Sequence, residues 1–400
     1  MKQGLILFIS LVFCSVCMAN NHSQQKKNTK LLYIERAQVT LDSLYKHYSI
    51  KSSPLLRENF PFDEKYVAGY LATDKVSVQN PNSYLWPYSG TFSAVNSLLG
   101  ASRQEKYIKT LDEKVFPGLD EYFDPKREPN AYASNINSLP TSDRFYDDNI
   151  WIGIDFTDCF LMTGNREYLA KATRIWKFIE SGMDDQLGGG IYWCEQKKQS
   201  KNTCSNAPGA VYALKLFQAT KDSSYLRQGK HLYEWTKKNL QDSTDHLYFD
   251  NISLEGRIEK TKYAYNSGQM LQAASLLYEI TKEKEYRSEA ETIAASCYRY
   301  FFTDFVGLEG EHFRLLKKGN TWFSAVMLRG FLELYKINRS RIYINTFRQN
   351  MDYAWKHTRE ANGLFNTDWS GQERDGSKWL LTQAAMVEMY GRLAGVGSAR

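Results

Sequence analysis

Two kinds of hydrophobic pattern alternate along this chain. One is amphipathic: in Tyr168-Leu169-Ala172-Ile175-Trp176-Ile179 the apolar residues recur at helical spacing, with Lys, Arg and Glu between them. That spacing predicts a helix with one face in a core and the other in water. The other pattern is apolar nearly all round and rich in small residues, as in 207–219, 267–280 and 380–393. Such a segment predicts a helix buried on every side. A repeat ties the two together. A short tract ending in Tyr opens the amphipathic segment at Tyr107, Tyr168, Tyr225, Tyr286 and Tyr343, at spacings of 61, 57, 61 and 57 residues, and Leu32-Tyr33-Ile34 makes an earlier, irregular copy. A regular internal period of this kind indicates a helical repeat architecture. Outer helices are expected to begin near residues 31, 104, 166, 223, 284 and 341, and inner ones near 88, 149, 207, 267, 321 and 379. Six hairpins, twelve helices in all, predict an all-α (α/α)6 toroid, a closed ring that buries its inner set without capping repeats.

The connections differ sharply in length. Links from inner to outer helices, such as Thr163-Gly164-Asn165, are a few residues, whereas the opposite links span roughly 50–87, 125–148, 183–206, 241–266, 303–320 and 359–378. Long loops in compact domains usually carry function. All six should emerge on one face, at the N-termini of the inner helices. They hold Trp86-Pro87-Tyr88, Gly188-Gly189-Gly190-Ile191-Tyr192-Trp193, Tyr248-Phe249-Asp250-Asn251, Tyr263-Ala264-Tyr265-Asn266 and Leu364-Phe365-Asn366-Thr367-Asp368-Trp369. The triple glycine reads equally as a tight turn and as a place where backbone approaches a ligand. Asn206 and Asn266 suit helix caps as well as ligand contacts. Asp184-Asp185 lies mid-loop and reads as a turn.

Composition narrows the class. The chain has 400 residues with 42% hydrophobic content, enough for a large core, and no Pro/Gly/Ser-rich linker follows residue 30, so residues 31–400 read as one domain. A net charge of +6 with scattered basic residues gives no nucleic-acid footprint. Lys2, the apolar run Gly4–Ala19 and the polar tail 20–30 read as a signal peptide cleaved after Ala19, which implies export. Cys14 follows Phe13 and Cys17 follows Val16, which disfavours lipidation, and no second apolar run of membrane length follows. Cys159 and Cys297 read as buried thiols, while export permits a disulfide between Cys194 and Cys204. The six histidines, at 22, 47, 231, 246, 312 and 357, are dispersed and no CxxC pair follows residue 19, so neither a zinc site nor another cofactor is expected.

The chemistry concentrates in Tyr146-Asp147-Asp148-Asn149, just before the apolar run Ile150 to Met162. Two carboxylates at a helix start can be capping residues, since free backbone N–H groups and the helix dipole favour negative charge there. They can also work as a pair on a glycosidic bond, one attacking the anomeric carbon while the other protonates the leaving oxygen and then activates water. The charge of the first would raise the pKa of the second and keep it protonated.

Tyr146-Asp147-Asp148-Asn149 with Trp151 and Gly153 resembles the Y-D-D-x-x-W signature of glycoside hydrolase family 76, the endo-α-1,6-mannanases. Gly188-Gly189-Gly190-Ile191-Tyr192-Trp193, Asn206-Ala207-Pro208, Tyr248-Phe249-Asp250 and Tyr265-Asn266-Ser267-Gly268 follow in family order, and the likeness runs from about residue 84 to the C-terminus. The resemblance implies an (α/α)6 enzyme, a monomer acting on α-mannan with retention, with Asp147 as nucleophile and Asp148 as acid/base. Trp86, Tyr146, Asn149, Gly189, Trp193, Asn206, Asp250, Tyr265 and Asn266 would then contact the sugar. Ile152, where a second Trp often stands, and Ser267, often Gln, depart from the pattern. Two other readings stay open: a non-catalytic glycan-binding toroid, and a sugar isomerase or epimerase using His246 and His312.

Overall fold

The structure, a computed structural model, describes residues 27–70 and 80–396; the signal peptide expected over 1–19 lies outside them. Twelve long helices occur among the described residues. The outer set is α1 (27–48), α3, α5 (Arg166–Glu180), α7 (Ser223–Leu240), α9 (Lys284–Phe301) and α11 (Ile342–His357). Helix α3 runs continuously through Glu105–Thr110, a π-helical turn Leu111–Val115 and Phe116–Asp120, with Pro117 just after that turn. The inner set is α2 (Leu85–Ser102), α4 (Tyr146–Thr163), α6 (Thr203–Thr220), α8 (Ala264–Thr281), α10 (Thr321–Asn338) and α12 (Leu380–Gly395). Each inner helix packs on the next, and α12 returns to α2, so the ring closes. Where α8 meets α10 the backbones nearly touch: a Cβ on Gly330 would lie 2.3 Å from the Gly268 carbonyl oxygen, so only glycine fits.

The periodic Tyr residues stand where the repeat puts them. Tyr107, Tyr168, Tyr225 and Tyr286 are third in their outer helices and Tyr343 is second. Four inner helices begin three or four residues before their expected starts. The reason is that their first turns mix polar and aromatic side chains, some lining the cavity and others holding the loops, which interrupts the apolar pattern. The short inner-to-outer turns share one device. Arg103, Gly164, Lys221, Lys282 and Arg339 adopt left-handed backbone, and each returns its N–H to the carbonyl four residues back. Only one of the five is glycine, so the turn was not marked in the sequence.

The long links all carry β structure at one mouth of the ring. Antiparallel pairs join β1 (Asn59–Phe60) to β9 (Lys378–Trp379), β2 (Phe123–Asp124) to β3 (Ala131–Tyr132), and β7 (Phe302–Val306) to β8 (His312–Leu316). A three-stranded sheet has the order β4 (Ser200–Asn202), β5 (Phe249–Ser253), β6 (Ile258–Lys262). The β1–β9 pair ties the first link to the last, Asn59 opposite Trp379, across the seam where the ring closes.

Candidate active site

At the looped mouth a cavity of about 430 Å³ opens over the inner helix starts, within the size range of small-molecule sites. Its floor follows the repeat. The second residue of five of the six inner helices lines it: Trp86, Asp147, Cys204, Tyr265 and Trp322. Their spacings are 61, 57, 61 and 57 residues, so one helical position, repeated around the ring, points a different side chain at a common centre.

Asp147 and Asp148 are the second and third residues of α4, inside its first turn. The N-cap is Phe145, whose side chain makes no capping bond, so neither Asp is the cap. Asp147 Oδ2 accepts a hydrogen bond from Trp193 Nε1 at 3.2 Å. Trp193 is itself fixed: its carbonyl accepts from Tyr146 N at 2.9 Å, and Phe145 pairs with Cys194 across a β-bridge. Beneath that bridge Arg144, 1% exposed, donates from Nε to Glu195 Oε2 at 2.7 Å and from Nη1 to the Arg127 and Pro129 carbonyls. The loop leading into the acidic pair is thus clamped by a half-buried ion pair.

The two carboxyls differ electrostatically. Burial raises both pKa values. For Asp147 the Cys204 thiol, backbone N–H groups and the Trp193 indole pull the other way. Asp148 has no such relief, and the charge of Asp147 adds to the burial. Asp147 therefore ionises first, and Asp148 holds its proton to higher pH. Asp250, on β5, also lines the cavity. Burial raises it too, against a hydrogen bond from Asn251 Nδ2 at 2.8 Å.

Of the expected sugar contacts, Trp86, Trp193, Asp250 and Tyr265 line the cavity with the acidic pair. Tyr146, Asn149, Gly189, Asn206 and Asn266 do not. Tyr146 stacks on Phe178 in the core. Asn149 and Asn206, both fully buried, are clamps: the side-chain oxygen of each accepts from a loop N–H (Tyr132 and Ile191), and the amide donates to the same residue's carbonyl and to the carbonyl four residues back. Gln383 likewise accepts from the Phe365 N–H and donates to the Phe365 carbonyl, and Ser267 Oγ accepts from Tyr248 N. All four are the fourth residue of an inner helix. Asn266 is fully buried, and both polar atoms of its side chain are without a hydrogen-bond partner among the described residues. The glycines form a turn, with φ of 75°, 120° and 86°, and the buried Lys201 ammonium binds the Gly189 carbonyl at 2.6 Å.

The bridge between Cys194 and Cys204 is not formed; both are free, buried thiols, and Cys204 faces Asp147 instead. Sequence spacing alone suggested proximity, but Cys194 sits on the Phe145 bridge while Cys204 is in α6. His246 and His312 lie away from the cavity. Among the described residues Glu309, Glu311 and His357 form one group of metal-ligand types, on the rim outside the cavity, where Lys356 pairs with Glu309. Sequence reading missed Tyr70, Tyr84, Cys204, Trp322 and Phe323. For Cys204 and Trp322 the repeat spacing counted from Asp147 was the available signal; Tyr70 and Tyr84 carried none.

The glycosyl hydrolase family 76 model matches residues 62–395. A family 76 mannosidase of Bacteroides thetaiotaomicron VPI-5482 has 35% identity, covers 91% of this chain and 98% of its own, and superposes with a TM-score of 0.83. An inactive double Asp-to-Asn variant of an α-1,6-mannanase of Salegentibacter sp. HEL1_6, solved with α-1,6-mannotriose, shares the fold at 23% identity, a TM-score of 0.70, and coverage of 90% and 99%. A Schizosaccharomyces pombe protein provisionally named a mannan endo-1,6-alpha-mannosidase is 26% identical over 125 residues. That match spans 30% of this chain and 28% of the curated relative.

Proposed function

The chain belongs to glycosyl hydrolase family 76, and from that premise we propose that it cleaves α-1,6-mannosidic bonds of a mannan backbone with retention of configuration. The observation that carries the roles is the asymmetry between Asp147 and Asp148, adjacent carboxyls of which only the first is relieved by donors. Ionised Asp147 attacks the anomeric carbon. The glycosidic C–O bond breaks as Asp148 gives its proton to the leaving oxygen. Water then attacks the same carbon, Asp148 takes its proton, and the bond to Asp147 breaks. Trp86, Tyr265 and Trp322 offer aromatic surface for sugar C–H groups, and Asp250 offers a hydrogen-bond partner for hydroxyls. The substrate reading draws support from one relative named a mannosidase and another provisionally named a mannan endo-1,6-alpha-mannosidase.

The reading places the enzyme outside the cytoplasm as a single-domain monomer, with the leader 1–19 removed. No described helix is long and apolar enough to cross a membrane. Incubation with debranched α-1,6-mannan, followed by proton NMR of the first products, tests the proposal. New α-configured reducing ends support it. Absence of cleavage, or β-configured first products, contradicts it.

A further inference from the structure

Glu58 is a buried carboxylate that the acidic chemistry does not use. It is 5% exposed and stands at the seam of the ring, between the starts of α2 and α12. Its backbone carbonyl accepts from Leu380 N at 2.8 Å. Its side chain collects four donors. Oε1 accepts from Tyr70 OH at 2.6 Å, Trp379 Nε1 at 3.0 Å and Tyr66 OH at 3.3 Å, and Oε2 accepts from Tyr84 N at 3.0 Å. Among the described residues no cation pairs with it, and those four donors offset the cost of its burial.

Two partners of Glu58 reach the cavity, and a third, Trp379, packs behind them. Tyr70, Tyr84 and Trp86 line the cavity. Tyr70 meets Trp86 edge-on at 5.1 Å and Trp379 at 5.6 Å, and Trp86 meets Trp379 edge-on at 5.3 Å. A ring cluster of this kind packs well in several orientations, because stacking and edge contacts differ little in energy. One carboxyl oxygen shared by the hydroxyl of one ring and the indole N–H of another selects one orientation. The match to the family model begins at residue 62, so Glu58 lies just before it.

We propose that Glu58 is a positioning residue that, through Tyr70 and the Trp379 behind it, orients the Tyr70–Trp86 wall and thereby sets one sugar-binding position of the glycan site. The proposal rests on the glycoside hydrolase reading above. A glutamine at 58 has nearly the same shape but only one acceptor oxygen. With that oxygen turned to Tyr70 and Trp379, its NH2 meets the Tyr84 N–H donor to donor.

The test compares wild type with Glu58→Gln, Tyr70→Phe and Glu58→Asp on α-1,6-mannan oligosaccharides. Folding is checked by circular dichroism. Glu58→Gln should raise KM about 10-fold with kcat within about two-fold of wild type. Tyr70→Phe, which keeps the ring and loses one anchor, should shift KM in the same direction, and Glu58→Asp should recover part of the loss. A purely structural role would lower melting temperature and active fraction, hence kcat, and leave KM unmoved; that result overturns the proposal. If Glu58→Gln does not fold, an unchanged KM in Tyr70→Phe overturns it equally. Wild type without turnover would overturn the functional reading itself, and this proposal with it.

Discussion

Trp193 reaches back 46 residues along the chain to donate its indole N–H to Asp147 at 3.2 Å. The contact joins the loop after α5 to the first turn of α4, and it touches one of two adjacent carboxyls. With the Cys204 thiol and local backbone N–H groups it makes Asp147 the more easily ionised of the pair.

Replacing that donor should therefore move a pKa as well as a rate. Trp193→Phe keeps an aromatic ring against Phe145 and removes the N–H. The acid limb of kcat/KM against pH reports ionisation of Asp147 in the free enzyme, and it should move to higher pH. The plateau should fall about 10-fold, the scale of one hydrogen bond to a charged group. An unshifted limb would mean that the indole does not tune Asp147.

The same burial sets the sign of a stability effect. Both carboxyls have raised folded pKa values, mainly through burial. The native state thus holds their protons more tightly than the unfolded chain does. The stabilisation from those protons is complete below the ordinary carboxylate value of 3.8 and is lost as pH rises through the folded values. Asp148→Asn removes the charge that burial opposes. Its melting temperature should match wild type near that acidic end and exceed it by at least about 2 °C at neutral pH. A helix-capping role has the opposite sign, a loss of about 1 kcal/mol. Differential scanning calorimetry across that range decides between them.

Much of the ring could be read from periodicity, because the inner helices are apolar nearly all round and five of the six outer helices carry a Tyr in their first turn, such as Tyr168. The acidic pair was readable because two Asp residues precede an apolar run. What failed was the division between residues that touch the cavity and residues that hold its loops. Asn149 and Asn206 are in motifs beside Asp148 and Cys204, yet their side chains turn to backbone groups of Tyr132 and Ile191. The second and fourth positions of one helical turn face different ways, and which one meets the cavity depends on helix starts that the sequence placed three to four residues late. Glu58 and Tyr70 carry no periodic signal at all, since their meeting depends on closure of the ring.

That division is itself testable. Asn206→Ala leaves the Ile191 N–H and C=O and the Asn202 carbonyl without their buried partner. It should cost about 2–4 kcal/mol in denaturant unfolding, with KM for glycan little changed in the fraction that folds. Asn149→Ala should behave alike. A large rise in KM with stability intact would restore the sugar-contact role expected from sequence.

The most direct measurement is the initial rate of α-1,6-mannan cleavage by Asp147→Asn and Asp148→Asn, each shown by circular dichroism to be folded. Asp147→Asn removes the attacking oxygen anion with almost no change of shape, and Asp148→Asn removes the transferable proton. Each should lower the rate by about 100-fold or more, and azide should partly restore the Asp148 variant by replacing base-activated water, giving a glycosyl azide of retained configuration. Near wild-type rates from either folded variant would contradict the assignment of Asp147 and Asp148 as the reacting pair.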